Sequence, residues 1–436
     1  MPRPSMPSRP DRRGVLGIAL GLVGGAALAA CTGGEGVEPT TAPTGEPSSP
    51  EVQPAPEDLQ EVTALLTARA GALVAGDDGA FAATVSRGDA AAQDRQLTTF
   101  RAARDLRVSR LAVEDVQLDR DPTALPGEPA SLASAVLRYR VDDLDRGDRT
   151  AAVSVRVVRA EGRWFVASEQ PSGPGSTAPW LALPGLQVRR TEHAVVAGTV
   201  AVERLAEYAR IAGRALPVLR RDWARTPERV LVLAPAISQE ADVLLGRDGG
   251  ASAQVGATTE GPTDGAGRAT GDRVVLDPAA FSSLTPAGRD VVLTHELVHV
   301  AVRATVPGRT AAWLAEGYAD HVGYQRADVP VEQLLAPLLD EVRAGREPTD
   351  LPRLDTLQPA SGSIEVPYLA GWQAVEVLVA RYGESAVRRL VREGSSTGTD
   401  ADAEAATDRA LVSVLGTSRA ALVRQWRAHL DDLARR

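Results

Sequence analysis

The stretch Thr294-His295-Glu296-Leu297-Val298-His299-Val300 decides how this 436-residue chain is read. Two histidines four residues apart project from one face of a helix, so their imidazoles can meet one cation at Zn–N distances of about 2.0–2.1 Å. Glu296 stands one residue on, beside such an ion rather than on it. From there its carboxylate can take a proton from an activated water and hand it to a leaving amine. Val291, Val292, Leu293, Leu297, Val298 and Val300 make the other faces apolar. The expectation is a buried helix whose polar edge faces a cleft. With five histidines in the chain, an accidental HExxH match arises on the order of a few times per thousand such sequences.

The sequence downstream continues the pattern. Pro307-Gly308 supplies a turn, and a second helical stretch opens near Trp313-Leu314-Ala315-Glu316-Gly317-Tyr318-Ala319-Asp320. An antiparallel return would bring Glu316 to the level of the histidines, making a His₂Glu site with an open fourth position. Asp320 lies four residues after Glu316 and so on the same face. There it can accept the second N–H of a ligating imidazole and fix its tautomer. Tyr318 and His321 adjoin these residues but point off the ligand face, and His193 and His429 are solitary.

At these residues the chain resembles the gluzincins, HExxH peptidases with a distal Glu ligand, and the Trp313 to Asp320 stretch is similar to their "peptidase MA-like" bacterial branch. The metzincin continuation is absent, since Val302 and Thr305 stand at its Gly and His positions. The resemblance covers about residues 186–436. It implies Zn2+ held by His295, His299 and Glu316, with Glu296 as general base acting on a zinc-bound water and a peptide or protein as substrate. It implies further that Arg273 to Asp277 is an edge strand that pairs with extended substrate, and that Tyr368, which opens a helical pattern running to Tyr382-Gly383, stabilises the oxyanion. Bland alternatives stand beside these roles: a polar edge on a buried helix, a surface acid for Glu316 or Asp320, and simple packing for Tyr368.

The N-terminus carries a processing signature. Arg3, Arg9, Arg12 and Arg13 precede an uncharged stretch from Gly14 to Ala30 that ends in Leu28-Ala29-Ala30-Cys31. This reads as a secretory signal over residues 1–30. Its ending resembles the bacterial lipobox, which implies acylation of Cys31 and anchoring to the outer face of the cytoplasmic membrane. The alternative is an uncleaved span, for which this short Gly/Ala-rich stretch is weak. Cys31 is the only cysteine, so no intramolecular disulfide can form. The export route, general secretory or twin-arginine, stays open.

Residues 31–56, rich in Pro, Gly and Thr, read as a disordered tether, because they cannot bury enough apolar surface to offset chain entropy. Residues 57–170 read as helices followed by a curved antiparallel sheet that ends in Arg163-Trp164-Phe165-Val166. Their order resembles the nuclear-transport-factor-like or SnoaL-like cone, and with no convergent His, Asp or Tyr set they suit a binding or spacer module. Residues 171–185 read as a linker containing Pro171-Ser172-Gly173-Pro174-Gly175, and residues 186–436 as the metallopeptidase-like domain.

The fold class expected is therefore α+β: a cone-like N-terminal module, then a small mixed sheet, a zinc helix pair and a helical C-terminal subdomain. A formal charge of −9 argues against a nucleic-acid partner. The competing functional class is a non-catalytic envelope lipoprotein with a relic zinc site and a partner-binding N-terminal module. The oligomeric state, the physiological substrate, and endo- against exopeptidase action are left open.

Overall fold

α1 (Pro56–Ala75) begins on a proline, whose missing N–H is no loss in a first turn, and stops at Gly76 in the left-handed conformation. α2 (Asp78–Ala82) and α3 (Ala90–Asp105) start at Asp77 and Asp89, whose carboxylates accept from the Ala80 N–H and from the Ala91 and Ala92 N–H groups. β1 (Val108–Arg120), β2 (Ala130–Val141), β3 (Arg149–Ala160) and β4 (Arg163–Pro171) form one antiparallel sheet in the order β1-β2-β3-β4. Ala151, Val153, Val155 and Val157 bury one face of β3, the period-two pattern of a sheet packed on one side. The computed structural model describes residues 55–436 except 126–127, 174, 176, 248–254, 326–330 and 359–362. The signal peptide, Cys31 and nearly all of the tether thus lie outside the described residues.

After α4 (Pro179–Ala182), a hairpin of β5 (Gln187–Arg190) and β6 (Ala194–Gly198) opens a second sheet. α5 (Val202–Asp222), β7 (Val230–Ala234), α6 (Ser238–Leu245), β8 (Ala257–Glu260) and β9 (Arg273–Leu276) complete it, in the order β5-β6-β7-β9-β8. β6, β7 and β9 are parallel, and β5 and β8 flank them antiparallel. The fold is α+β, with an antiparallel sheet, a mixed sheet and then helices.

One expectation is corrected. Arg273 to Leu276 is not an edge strand: it pairs with β7 on one side and β8 on the other, and all four residues are buried, as an interior strand requires. The edge on that side is β8, inside the Gly-rich stretch between Gly246 and Gly271. Asp277 lies beyond the strand and caps α7 (Pro278–Ser283) through the Ala280 N–H.

The mixed sheet is a wall between two cores. Ala194, Val196, Val230, Val232, Val274 and Leu276 face the helices, while Val195, Ala197, Leu231, Leu233 and Val275 join the core of the N-terminal sheet. This is why β6 and β7 read as continuous apolar runs, and β9 does from Val274 onward. Charged groups cross the same boundary: Arg149 on β3 reaches Glu260 on β8 at 2.5 Å, and Arg273 on β9 donates to the Tyr139 hydroxyl at 2.9 Å.

On the helical side lie α8 (Pro286–Thr305) and α9 (Ala312–Tyr324). α8 starts on Pro286 with the Thr285 hydroxyl accepting from the Gly288 N–H. At the α8–α9 turn Gly308 has φ 76°, and a Cβ there would sit 2.0 Å from the Ser396 carbonyl oxygen. Only glycine fits that turn. α10 (Val331–Leu334), α11 (Ala336–Arg343), a 3-10 turn at Leu354–Leu357, α12 (Glu365–Tyr382), α13 (Glu384–Glu393), α14 (Asp400–Leu415) and α15 (Arg419–Arg435) follow. α12 packs along α9, and a Cβ at Gly317 would meet the Gly371 carbonyl oxygen at 2.3 Å. Two glycines therefore let these helices approach at backbone distance.

Candidate metal centre

The HExxH stretch forms the middle of α8, and α9 runs back beside it. His295 Nε2 and His299 Nε2 converge to 2.9 Å, and Glu316 Oε2 lies 3.2 Å from the first and 3.5 Å from the second. A tetrahedral ion with ligands at about 2.0–2.1 Å would separate its donors by roughly 3.3 Å, so this triangle matches the donor set in size as well as chemistry. Among the described residues these three are the group able to hold a metal ion.

Asp320 presents Oδ1 at 2.8 Å from His295 Nδ1. That contact turns Nε2 toward Glu316 and His299 and fixes the Nδ1–H tautomer of the neutral ring. Burial alone would lower the His295 pKa, but Asp320 and then Glu316 outweigh it and push the pKa up to about 10. Burial would raise Glu316, yet the His299 and His295 imidazoles bring it down to about 2. Asp320 itself is raised, because burial outweighs the attraction of His295. In the metal-free chain a proton on His295 thus holds two carboxylates together, and an ion would displace it.

Glu296 is buried at 1% exposure, and burial, opposed by the two histidines, raises its pKa. Its Oε2 accepts from the Thr259 hydroxyl at 2.6 Å, and its Oε1 has no hydrogen-bond partner among the described residues. A buried carboxylate oxygen without a partner is costly, so its position calls for an explanation. Tyr368, in the first turn of α12, is buried and faces Glu316. Burial first, then the charges of Glu316, Asp320 and Glu296, lift its pKa well above 10, so the phenol stays protonated.

The other histidines stand elsewhere. His321 donates from Nδ1 to Glu376 at 2.7 Å and accepts at Nε2 from the Gln325 amide at 2.6 Å, and His429 meets Gln373 at 3.1 Å. Among the described residues His193 has only Glu192 within ion-pair reach, at 3.9 Å. Tyr318 packs edge-on against Trp223. Thr259 escapes sequence reading, because Ala257-Thr258-Thr259-Glu260 is too short a run for its period to register. Its bracketing by Gly256 and Gly261 is the one local sign of a strand.

No protein-family model matches the chain, and no curated protein does. Among solved structures it is similar to a protein of unknown function from Mycobacterium tuberculosis at 16% identity and a TM-score of 0.22, over 27% of this chain and 75% of that one. A likeness of that size carries no argument about fold or activity.

Proposed function

We propose that this protein is a zinc-dependent peptidase of gluzincin type, anchored by a lipid on Cys31 to the outer face of the bacterial cytoplasmic membrane. One observation carries the reading: three ligand atoms spaced for a tetrahedral ion, with the Glu296 carboxylate beside them held by one oxygen and unpartnered at the other. His295, His299 and Glu316 would hold zinc, which when bound supplies Lewis acidity toward a water and a substrate carbonyl. Asp320 orients the His295 ring. Glu296 takes a proton at Oε1 and passes it to the departing amine, a role favoured by the rise that burial gives its pKa. Tyr368, held neutral, donates a hydrogen bond to the developing oxyanion. Residues 57–170 act as the partner-binding or spacer module, followed by the linker at 171–185 and the metallopeptidase-like domain at 186–436. Among the described residues no helix is long and apolar enough to cross a membrane.

A non-catalytic lipoprotein with a structural metal is the second reading, and the depth of the site favours it. His299, the most exposed of the ligands and Glu296, shows 5% of its surface. Against it stands Glu296 Oε1, since a purely structural site has no use for a buried unpartnered carboxylate oxygen. The deciding experiment compares wild type with Glu296→Gln on a proteome-derived peptide library. The variant should keep zinc near stoichiometric while turnover falls by about 10²–10⁴. Equal cleavage by the two proteins, or none by either, would refute the peptidase reading.

A further inference from the structure

Glu296 reaches its place with the help of a residue on another element. Thr259 sits on the edge strand β8 and is fully buried, with its hydroxyl 2.6 Å from Glu296 Oε2 and 3.1 Å from the Glu296 carbonyl oxygen. A hydroxyl carries one proton, and the shorter contact to a carboxylate is the stronger, so the proton belongs to Oε2. On α8, Glu296 is about 100° round from His295, the angle between successive helical residues. Its side chain is nevertheless long enough to swing toward the two imidazoles. No other side-chain donor to this carboxylate is present among the described residues. The Thr259 hydroxyl is therefore what holds Oε2 on the strand side and leaves Oε1 available.

The strand that carries Thr259 is anchored from both ends and from behind. Thr259 pairs with Val274 on β9, Arg247 donates to the Thr258 hydroxyl at 3.2 Å, and Arg149 of the N-terminal sheet grips Glu260 at 2.5 Å and the Gly271 carbonyl at 2.7 Å. At the far end of α8, Arg303 ties that helix to Asp272 at 2.7 Å and to the Gly261 carbonyl at 3.0 Å. Strand and helix are thus tied together beyond the Thr259 contact by Arg303, which reaches the Gly261 carbonyl just past the end of β8.

We propose that Thr259 is a positioning residue for Glu296, holding the carboxylate beside the metal centre and out of its ligand set. The proposal rests on the peptidase reading for its catalytic consequence, but the position of Glu296 can be tested without it.

The test uses the full chain with Thr259→Val, which keeps shape and removes the hydroxyl, and Thr259→Ser, which keeps the hydroxyl. Crystal structures of both variants are solved, and zinc content, kcat and KM on succinylated casein are measured. In Thr259→Val the Glu296 carboxylate should move by about 1 Å or more, kcat should fall about 10- to 100-fold with KM within about twofold, and zinc should stay stoichiometric. Thr259→Ser should return kcat to within about threefold of wild type and the carboxylate to its place. An unmoved carboxylate in Thr259→Val overturns the proposal whether or not the wild type cleaves casein. So does a Ser variant as impaired as the Val variant, since packing would then be the cause. If Thr259→Val does not fold, Thr259→Ala takes its place in both comparisons. A wild type that cleaves no casein while Thr259→Val displaces Glu296 leaves the positioning role standing and counts against the peptidase reading alone.

Discussion

Removing the Asp320 carboxylate should weaken zinc binding by about 10- to 100-fold, and two independent routes give that size. Outer partners of metal-ligating histidines typically contribute this factor, which is about 1.4–2.7 kcal/mol. The structure gives the second route: Asp320→Ala leaves His295 Nδ1, on a residue with 0% exposure, without the acceptor it now has at 2.8 Å. An orphaned buried N–H costs about 1–3 kcal/mol. The loss should deepen with pH. Asp320 strengthens the hold of His295 on zinc and on a proton alike, and with its pKa pushed up to about 10 the metal-free ring is protonated at pH 7. Proton competition therefore masks part of the difference at pH 7 and less of it at pH 9. Zinc titration against a chromophoric chelator at both pH values measures this directly. Glu316→Ala, which deletes one of three donors, should cost more than ~100-fold, beyond the range of any outer partner. His321→Ala should cost less than about threefold, because its ring is engaged by Glu376 and Gln325 outside the ligand set. Zinc affinity lost with His321→Ala but kept with Glu316→Ala would refute the ligand assignment.

Three further outcomes can be checked. The metal-free protein should be most stable between about pH 4.5 and 6.5. His295 has its folded pKa raised from 6.5 to about 10, so its contribution is fully present below 6.5 and lost as pH rises through 10. Glu316 has its pKa lowered from 4.5 to about 2, so its contribution is present above 4.5 and lost as pH falls through 2. Thermal melts in chelator that stay flat from pH 6.5 to 10 would contradict this. Gly317→Ala should destabilise by about 1–3 kcal/mol and lower zinc affinity, because its methyl would press on the Gly371 carbonyl and push Glu316 away with α9. Denaturant midpoints and zinc titration read the two effects, and an unchanged midpoint would show that α9 and α12 are not held at backbone distance. Cys31→Ala should abolish acylation and release an otherwise folded protein from membranes, and mass spectrometry showing unmodified Cys31 in membrane-bound native protein would refute the anchor.

The candidate metal-binding group was legible in the sequence because its logic is local. His295 and His299 share a face by helical period alone, and Asp320 follows Glu316 at the same spacing. A six-residue gap between α8 and α9, residues 306–311, with Gly308 in its turn, is short enough to force an antiparallel return. The α+β class was legible for the same reason, since alternating and helical runs each declare their own period.

What only the tertiary structure decided are the contacts between residues far apart in the chain. Thr259 meets Glu296 across 37 positions and Arg149 meets Glu260 across 111, and no periodicity encodes either partner. The edge of the mixed sheet was misplaced onto Arg273 to Asp277 because an apolar Val274-Val275-Leu276 run marks a strand but not its neighbours. Whether a strand lies inside a sheet or at its rim depends on which segments pair with it, and that is settled by packing of the whole chain. The same holds for the mixed sheet as a shared wall. Leu231 and Val232 are adjacent and equally apolar, yet they enter different cores because successive strand residues point to opposite faces and each face here meets a different layer.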